Sequence, residues 1–377
     1  MVWDQLTDHL DVIWGALLAL VIVIALTPAV GGMARLLGVV DRPEPGRRKE
    51  MRNIPRLGGL AMFFGVLVPA LAFLPLRGEM RSIILGAAVA TLVGAIDDFR
   101  GLRWWQKLAG QTTAAAIPVA AGVWFHHITF PAAGAHSIPA YIGQPLTAFA
   151  IVALMNMMNF LDGMDGLAAG VCAIAAGSFT LIELSLGRPD AATLTAIVFG
   201  SCLGFLRHNF YPARIFMGDS GSLLLGFTLA SVSVEGLLKT AALAPLVLPL
   251  LVLAVPLIDT SFVVARRIKH GQPVYRPDRG HLHHRFENIG FSQRRTVAYL
   301  WAWCGALASA ALATRFVHLH RHGHWNGTGI AIDSLVAVVA LGTSVYVVYL
   351  LEIVKLANPF IRRREAQQRE ESLRRSA

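Results

Sequence analysis

The chain has 377 residues, 55% of them apolar and only 15% charged, with a formal net charge of +10. So much apolar surface excludes an ordinary soluble enzyme and points to a polytopic membrane protein. Loop topology accounts for the positive charge, so no nucleic acid is expected among the partners.

Runs of about 17–25 apolar residues, the length that crosses a bilayer core, fall near 12–37, 57–76, 82–97, 108–125, 145–161, 166–186, 191–207, 218–238, 243–265, 296–316 and 330–354. The third and seventh are short. An all-α integral membrane protein of about eleven transmembrane helices is predicted. Three acidic residues, Asp4, Asp8 and Asp11, precede the first run where a cleavable leader would carry basic ones. With the N-terminus outside and the spans alternating, the inner segments 35–56, 97–107, 207–217, 266–295 and 355–377 hold 27 of the 33 Lys and Arg residues. That asymmetry obeys the positive-inside rule and places the C-terminus in the cytoplasm. Residues 128–143 read as a short outside hairpin. His318, His320, His322 and His324 alternate on an outside loop, and with no Cys or carboxylate beside them they read as solvated. Cys172, Cys202 and Cys304 lie in apolar segments and read as buried packers. Residues 355–377 form a basic tail suited to anionic headgroups.

Polarity concentrates in four places. Asp97-Asp98 ends the third span and Lys107 opens the fourth. Asn156, Asn159, Asp162 and Asp165 follow one another by threes at the end of the fifth. On an unbroken helix, at about 100° per residue, Asn156 and Asp165 would point apart. They converge only if the helix stops near Leu161, and the pairs Asp162-Gly163 and Asp165-Gly166 supply the turn, with a new helix from about Leu167. Asn209 and the run Phe216-Met-Gly-Asp219-Ser-Gly-Ser precede the eighth span. His281-Leu-His283-His284 lies in the long loop 266–295. In the topology above all four groups share the cytoplasmic face. Carboxylates inside a membrane segment are costly and mark a functional cavity.

Clusters of Asp and Asn without sulfur suit a hard divalent cation, above all Mg2+. Lysine and histidines suit a polyanion, and helix N-termini near Gly166 and Ser220 would aim free amides at phosphate. These parts together describe phosphoryl transfer, where positioning and charge neutralisation do most of the work. A transporter is the reading from another class, and it requires polar groups deep inside several spans.

The stretches Gly94-Ala-Ile-Asp97-Asp98 with Lys107 and Gln111, Asn156 through Gly170, Asn209 through Ser222, and His281-Leu-His283-His284-Arg285 resemble the polyprenyl-phosphate N-acetylhexosamine-1-phosphate transferases. So do Arg42-Pro43 and Ile54 through Gly59, and the likeness spans about residues 40–295. The resemblance implies transfer of a sugar 1-phosphate, GlcNAc-1-phosphate foremost, from a UDP-N-acetylhexosamine to polyprenyl phosphate, with release of UMP. This would be the first membrane step of a cell-surface glycan such as lipopolysaccharide or teichoic acid, in the bacterial inner membrane. It implies Mg2+ as cofactor, with Mn2+ as the substitute ion, and Asp219 with Asp98 as metal ligands. Asp97, Asp98 and Asp162 are the implied catalytic carboxylates. Lys107, Asn156, Asn159, Asp165, Asn209, Phe216, His281, His283, His284 and Arg285 are the implied substrate contacts, with Asp165 and Phe216 at the uracil. Residues 1–354 then form one catalytic transmembrane domain with an active-site cleft at its cytoplasmic face, and a homodimer is the candidate assembly. The His-x-His-His form resembles the N-acetylglucosamine branch more than the muramoyl-pentapeptide branch, which stays the alternative. Relatives often carry a histidine before the Pro-Arg-Leu-Gly-Gly element, where this chain has Glu50-Met51-Arg52-Asn53.

Overall fold

The computed structural model describes residues 6–41, 53–130, 134–238, 250–269, 286, 290–317, 320–321, 324–325 and 327–350. The histidine motif His281–Arg285, Arg42-Pro43 and the basic tail lie outside these residues, so their expected roles meet no structural test.

In chain order the helices are α1 (Leu10–Leu36), α2 (Gly58–Phe73), α3 (Gly78–Arg100), α4 (Trp104–Ala120), α5 (Ala140–Leu161), α6 (Leu167–Ser185), α7 (Pro189–Asn209), α8 (Gly218–Val232), α9 (Ala254–Lys269), α10 (Gln293–Phe316) and α11 (Gly327–Leu350). Among the described residues a helix overlaps each predicted apolar run, the ninth being described only from residue 250. Seven of those described, α1, α3, α5, α6, α7, α10 and α11, are long and apolar enough to cross a membrane. The two runs read as short extend at their N-termini. Helix α3 takes in Gly78–Arg81 with Glu79 in its first turn, and α7 starts on Pro189 with Asp190 beside it. Acidic side chains there oppose the positive end of the helix dipole, and proline at the first position loses no hydrogen bond. The eighth run is split: α8 stops at Val232 and continues as a π-helical turn, Ser233–Leu238.

Three two-stranded antiparallel ladders complete the description: β1 (Val40–Asp41) with β2 (Ile54–Pro55), β3 (His127–Phe130) with β4 (Gly134–Ser137), and β5 (His320–Arg321) with β6 (His324–Trp325). The second is the hairpin expected in 128–143.

Helix α8 is the hub. Every residue from Gly218 to Val232 is buried except Asp219, and α2, α3, α5, α6 and α7 all pack on it. A helix apolar all round can be stable only in such surroundings. Around it α1 packs on α7 and α2, α4 on α3 and α5, α6 on α7, and α10 on α6 and α11. Glycine lets the backbones close: a Cβ on Gly94 of α3 would enter the Asp219 backbone at the start of α8.

Candidate active site

Three connections bring the polar groups to one end of the bundle. Between α3 and α4, the Leu102 N–H donates to Asp97 Oδ1, and the Gln106 side chain accepts the Arg103 N–H at 3.0 Å, starting α4 immediately. Between α5 and α6, α5 ends at Leu161, Asp162 caps it, and α6 starts at Leu167 behind Gly166 at φ +78°. Only glycine takes that conformation cheaply, so the stop near Leu161 and the restart near Leu167 are as the Asp-Gly pairs predict. Between α7 and α8 the chain bends at 210–215 and then passes beside β2. Phe216 N–H donates to Pro55 O at 2.8 Å, and the Gly58 and Gly59 N–H groups donate to Phe216 O and Met217 O at 3.0 and 2.8 Å.

At the centre stands Lys107. Its Nζ pairs with Asp97 Oδ2 at 2.9 Å, with Asp219 Oδ2 in close contact, and donates to Asn159 Oδ1 at 3.3 Å. Asn159 Nδ2 donates to Asp219 Oδ1 at 2.7 Å and to Ser222 Oγ at 3.0 Å. Side chains from α3, α4, α5 and α8 thus meet at one point. Asp162 lies within electrostatic range of Asp219, Asp98, Arg56 and Asp165. Burial, then the charges of Asp219 and Asp98, push its carboxyl well above the usual carboxylate range, with Arg56 opposing.

The other predicted site residues are placed as follows. Asp98 Oδ1 accepts the Asp219 N–H at 2.9 Å, and Oδ2 accepts the Ser220 N–H and hydroxyl at 3.0 and 2.9 Å. It is the anionic cap of α8, delivered from another helix. Asn156 faces α4 and exchanges amide hydrogen bonds with Gln111, at 2.9 Å to Gln111 Oε1 and 3.2 Å in return. Asp165 Oδ2 accepts the Ala213 N–H at 2.9 Å, tying the α5–α6 turn to the α7–α8 loop. Asn209, 2% exposed, staples the same two segments, accepting the Gly166 N–H and donating to Ile215 O, both at 2.9 Å. Phe216 is half-buried just before α8.

One expectation needs correction. Helix N-termini near Gly166 and Ser220 were to aim free amides at phosphate, yet Asn209 accepts the Gly166 N–H and Asp98 accepts those of Asp219 and Ser220. Buried donors find the nearest acceptor, and here the chain supplies it. Reading the sequence by residue type also missed Ser222, and Gln111 outside the resemblance. A glutamine four residues beyond Lys107 on the same helix face was the available signal for the second.

Oxygen donors alone fit a hard cation. Among the described residues no group of three or more His, Cys, Asp and Glu is gathered to hold a metal by itself.

A family model described as glycosyl transferase family 4 matches residues 80–237, which contain the whole Asp97–Lys107–Asn159–Asp219 cluster. The chain is 36% identical over 286 residues to the probable undecaprenyl-phosphate N-acetylglucosaminyl 1-phosphate transferase of Bacillus subtilis (strain 168), covering 76% of this chain and 80% of that protein. It is 36% identical to the decaprenyl-phosphate N-acetylglucosaminephosphotransferase of Mycobacterium leprae (strain TN), over 80% of this chain and 83% of that one. Identity to the phospho-N-acetylmuramoyl-pentapeptide-transferase of Moorella thermoacetica is 32%, over 78% and 96%.

Proposed function

The chain belongs to the polyprenyl-phosphate N-acetylhexosamine-1-phosphate transferase branch of glycosyl transferase family 4, and from that premise we propose that it moves GlcNAc-1-phosphate from UDP-GlcNAc to a polyprenyl phosphate. It is a multi-pass membrane protein of the bacterial inner-membrane kind. The observation that carries the reading is the meeting of Asp97, Lys107, Asn159 and Asp219 from four helices at one end of the bundle. The choice of GlcNAc over a muramoyl peptide rests on the higher identity to the N-acetylglucosamine enzymes. Eleven crossings with an outside N-terminus and a cytoplasmic site belong to the same proposal, as does a homodimer. The histidine motif, Arg285 and Phe216 belong to it as contacts of the sugar, diphosphate and uracil.

In this reading an oxygen of the lipid phosphate forms a bond to the sugar-linked phosphorus, and the bond from that phosphorus to the UMP oxygen breaks. A phosphate monoester, with its second pKa near 6, is already mostly a dianion at neutral pH, so no group need remove a proton. Asp97 then acts by positioning rather than as a base. Asp219, held at Oδ1 by Asn159, is the residue best placed to hold Mg2+, with Mn2+ as substitute. A bound ion would neutralise the charge that builds on the diphosphate. Asp98 serves best as the support that orients Asp219, since both its oxygens are committed to α8. Lys107 supplies positive charge to the bridging phosphates.

The test is a transfer assay with protein in nanodiscs, a panel of labelled UDP-sugars and undecaprenyl phosphate. The expected result is lipid-linked label and stoichiometric UMP with UDP-GlcNAc, abolished by EDTA and by Asp219→Ala. No lipid product with any UDP-sugar would overturn the proposal, and solute flux in proteoliposomes would establish a transporter instead.

A further inference from the structure

An ammonium group has three N–H donors and no more. All three of Lys107 are directed to chain oxygens: Asp97 Oδ2, Asp219 Oδ2 and Asn159 Oδ1. In this arrangement Lys107 has no donor left for a phosphate, so it cannot hold the carboxylates and a diphosphate at once. The same three oxygens, on three helices, are the donor set a hard divalent ion would seek. Two cations cannot share them, because like charges at such a separation repel by several kcal/mol even in a fairly polar site.

We propose that Lys107 is the site's built-in counter-ion, standing where the divalent cation binds, and that loading the metal requires its ammonium to release Asp97 and Asp219 and turn to the diphosphate. The inference rests on the metal-dependent transfer proposed above. The surroundings support an exchange without collapse. Asp219 Oδ1 stays anchored by Asn159 Nδ2, which Ser222 also engages, so the carboxylate keeps its direction once the lysine leaves. The backbone under Asp219 stays capped by Asp98. Lysine, a compact charge on a flexible stem, is the cation suited to such a move; the planar fork of arginine is not. Metal and nucleotide then bind cooperatively, since each removes the partner that keeps Lys107 from the other.

The measurement is the affinity for Mn2+ alone, by electron paramagnetic resonance, on full-length protein in nanodiscs without nucleotide. Lys107→Met and Lys107→Gln are expected to bind Mn2+ about tenfold or more tightly than the parent, within the usual range of coupling between two sites, while losing transfer. Two variants of different polarity guard against a packing artefact, and each is first checked for an unchanged elution profile. Parent-like or weaker Mn2+ affinity in both overturns the inference. Asp219→Asn in the Lys107→Met background separates the two levels of the reading. Loss of Mn2+ there, with no gain from Lys107→Met, leaves the metal-dependent site standing and sinks only the counter-ion. Unchanged Mn2+ binding there sinks the metal site itself, and the inference with it.

Discussion

Replacing Asp98 with Asn separates a support from a ligand. Asp98 accepts three hydrogen bonds, one at Oδ1 and two at Oδ2, from the first turn of α8. Asn keeps one accepting oxygen and turns an NH2 toward donors, so one or two of the three bonds are lost, according to which way the amide faces, and a partly buried N–H is left without its anion. At about 1.5–3 kcal/mol for each bond to a charged group in a well-formed site, and less where the helix end relaxes, the loss is about 2–4 kcal/mol. One kcal/mol moves the midpoint by about 2–4 °C in a domain of 150–250 residues and by less in a longer chain, so a drop of about 3–6 °C is expected. The assay is a thermal melt in detergent with EDTA, run beside Mn2+ binding. Because the bonds lie within the chain, the loss must be present with EDTA. An unchanged midpoint in EDTA, coupled to lost metal affinity, would refute the cap and return Asp98 to the metal.

Three further outcomes follow from the same geometry. Gly94→Ala drives a methyl into the backbone of Asp219; overpacking of this kind costs about 1–3 kcal/mol, and a displaced Asp219 should cut kcat about a hundredfold, whereas a kcat within twofold of the parent would show that α3 and α8 are not in close apposition. Gln111→Leu breaks the amide exchange with Asn156 and leaves the partly buried Asn156 amide with only its bond to Val152 O, costing about 1 kcal/mol; the double variant with Asn156→Leu should recover part of that in the same melts, and additive losses would argue against the pairing. Asp162 has its folded pKa raised by burial and by Asp219 and Asp98, so its stability contribution is intact below the unfolded value of about 4 and is lost as pH rises through the folded value. Asp162→Asn in EDTA should therefore melt above the parent at pH 8, with the gap closing toward pH 4; a gap that widens on acidification would contradict the shift.

Local chemistry was legible where it is written in short spacing. The Asp-Gly pairs announce the break between Leu161 and Leu167, and polar residues at the ends of apolar runs mark the end of the bundle that holds the site. Partner choice was not legible. Asp97 and Asp98 are neighbours, yet one turns to Lys107 and the other to the start of α8, because successive residues on a helix point about 100° apart and meet different helices. Asn156 and Gln111 find each other across 45 positions of chain, which no periodicity reports. The π turn at Ser233–Leu238 also escaped notice. Glu183, buried at 0% exposure and bonded to Thr195 at 2.8 Å, lies against Gly236 in that turn. A buried glutamate near the end of the sixth apolar run was a visible sign that something there departs from plain helix.

The pairing of Asp97 with Lys107 bears on how the protein is made. In the eleven-span topology proposed above, α3 and α4 reach the membrane before α5 and α8 exist, so the aspartate and the lysine enter while Asn159 and Asp219 are still unsynthesised. Entering alone, either charge would add about 2.5–3.5 kcal/mol to insertion at mid-bilayer and less near the interface; entering as mates joined by a three-residue connection, they form a nearly neutral hairpin. In that reading the lysine offsets the cost of the carboxylate during insertion as well as in the finished site.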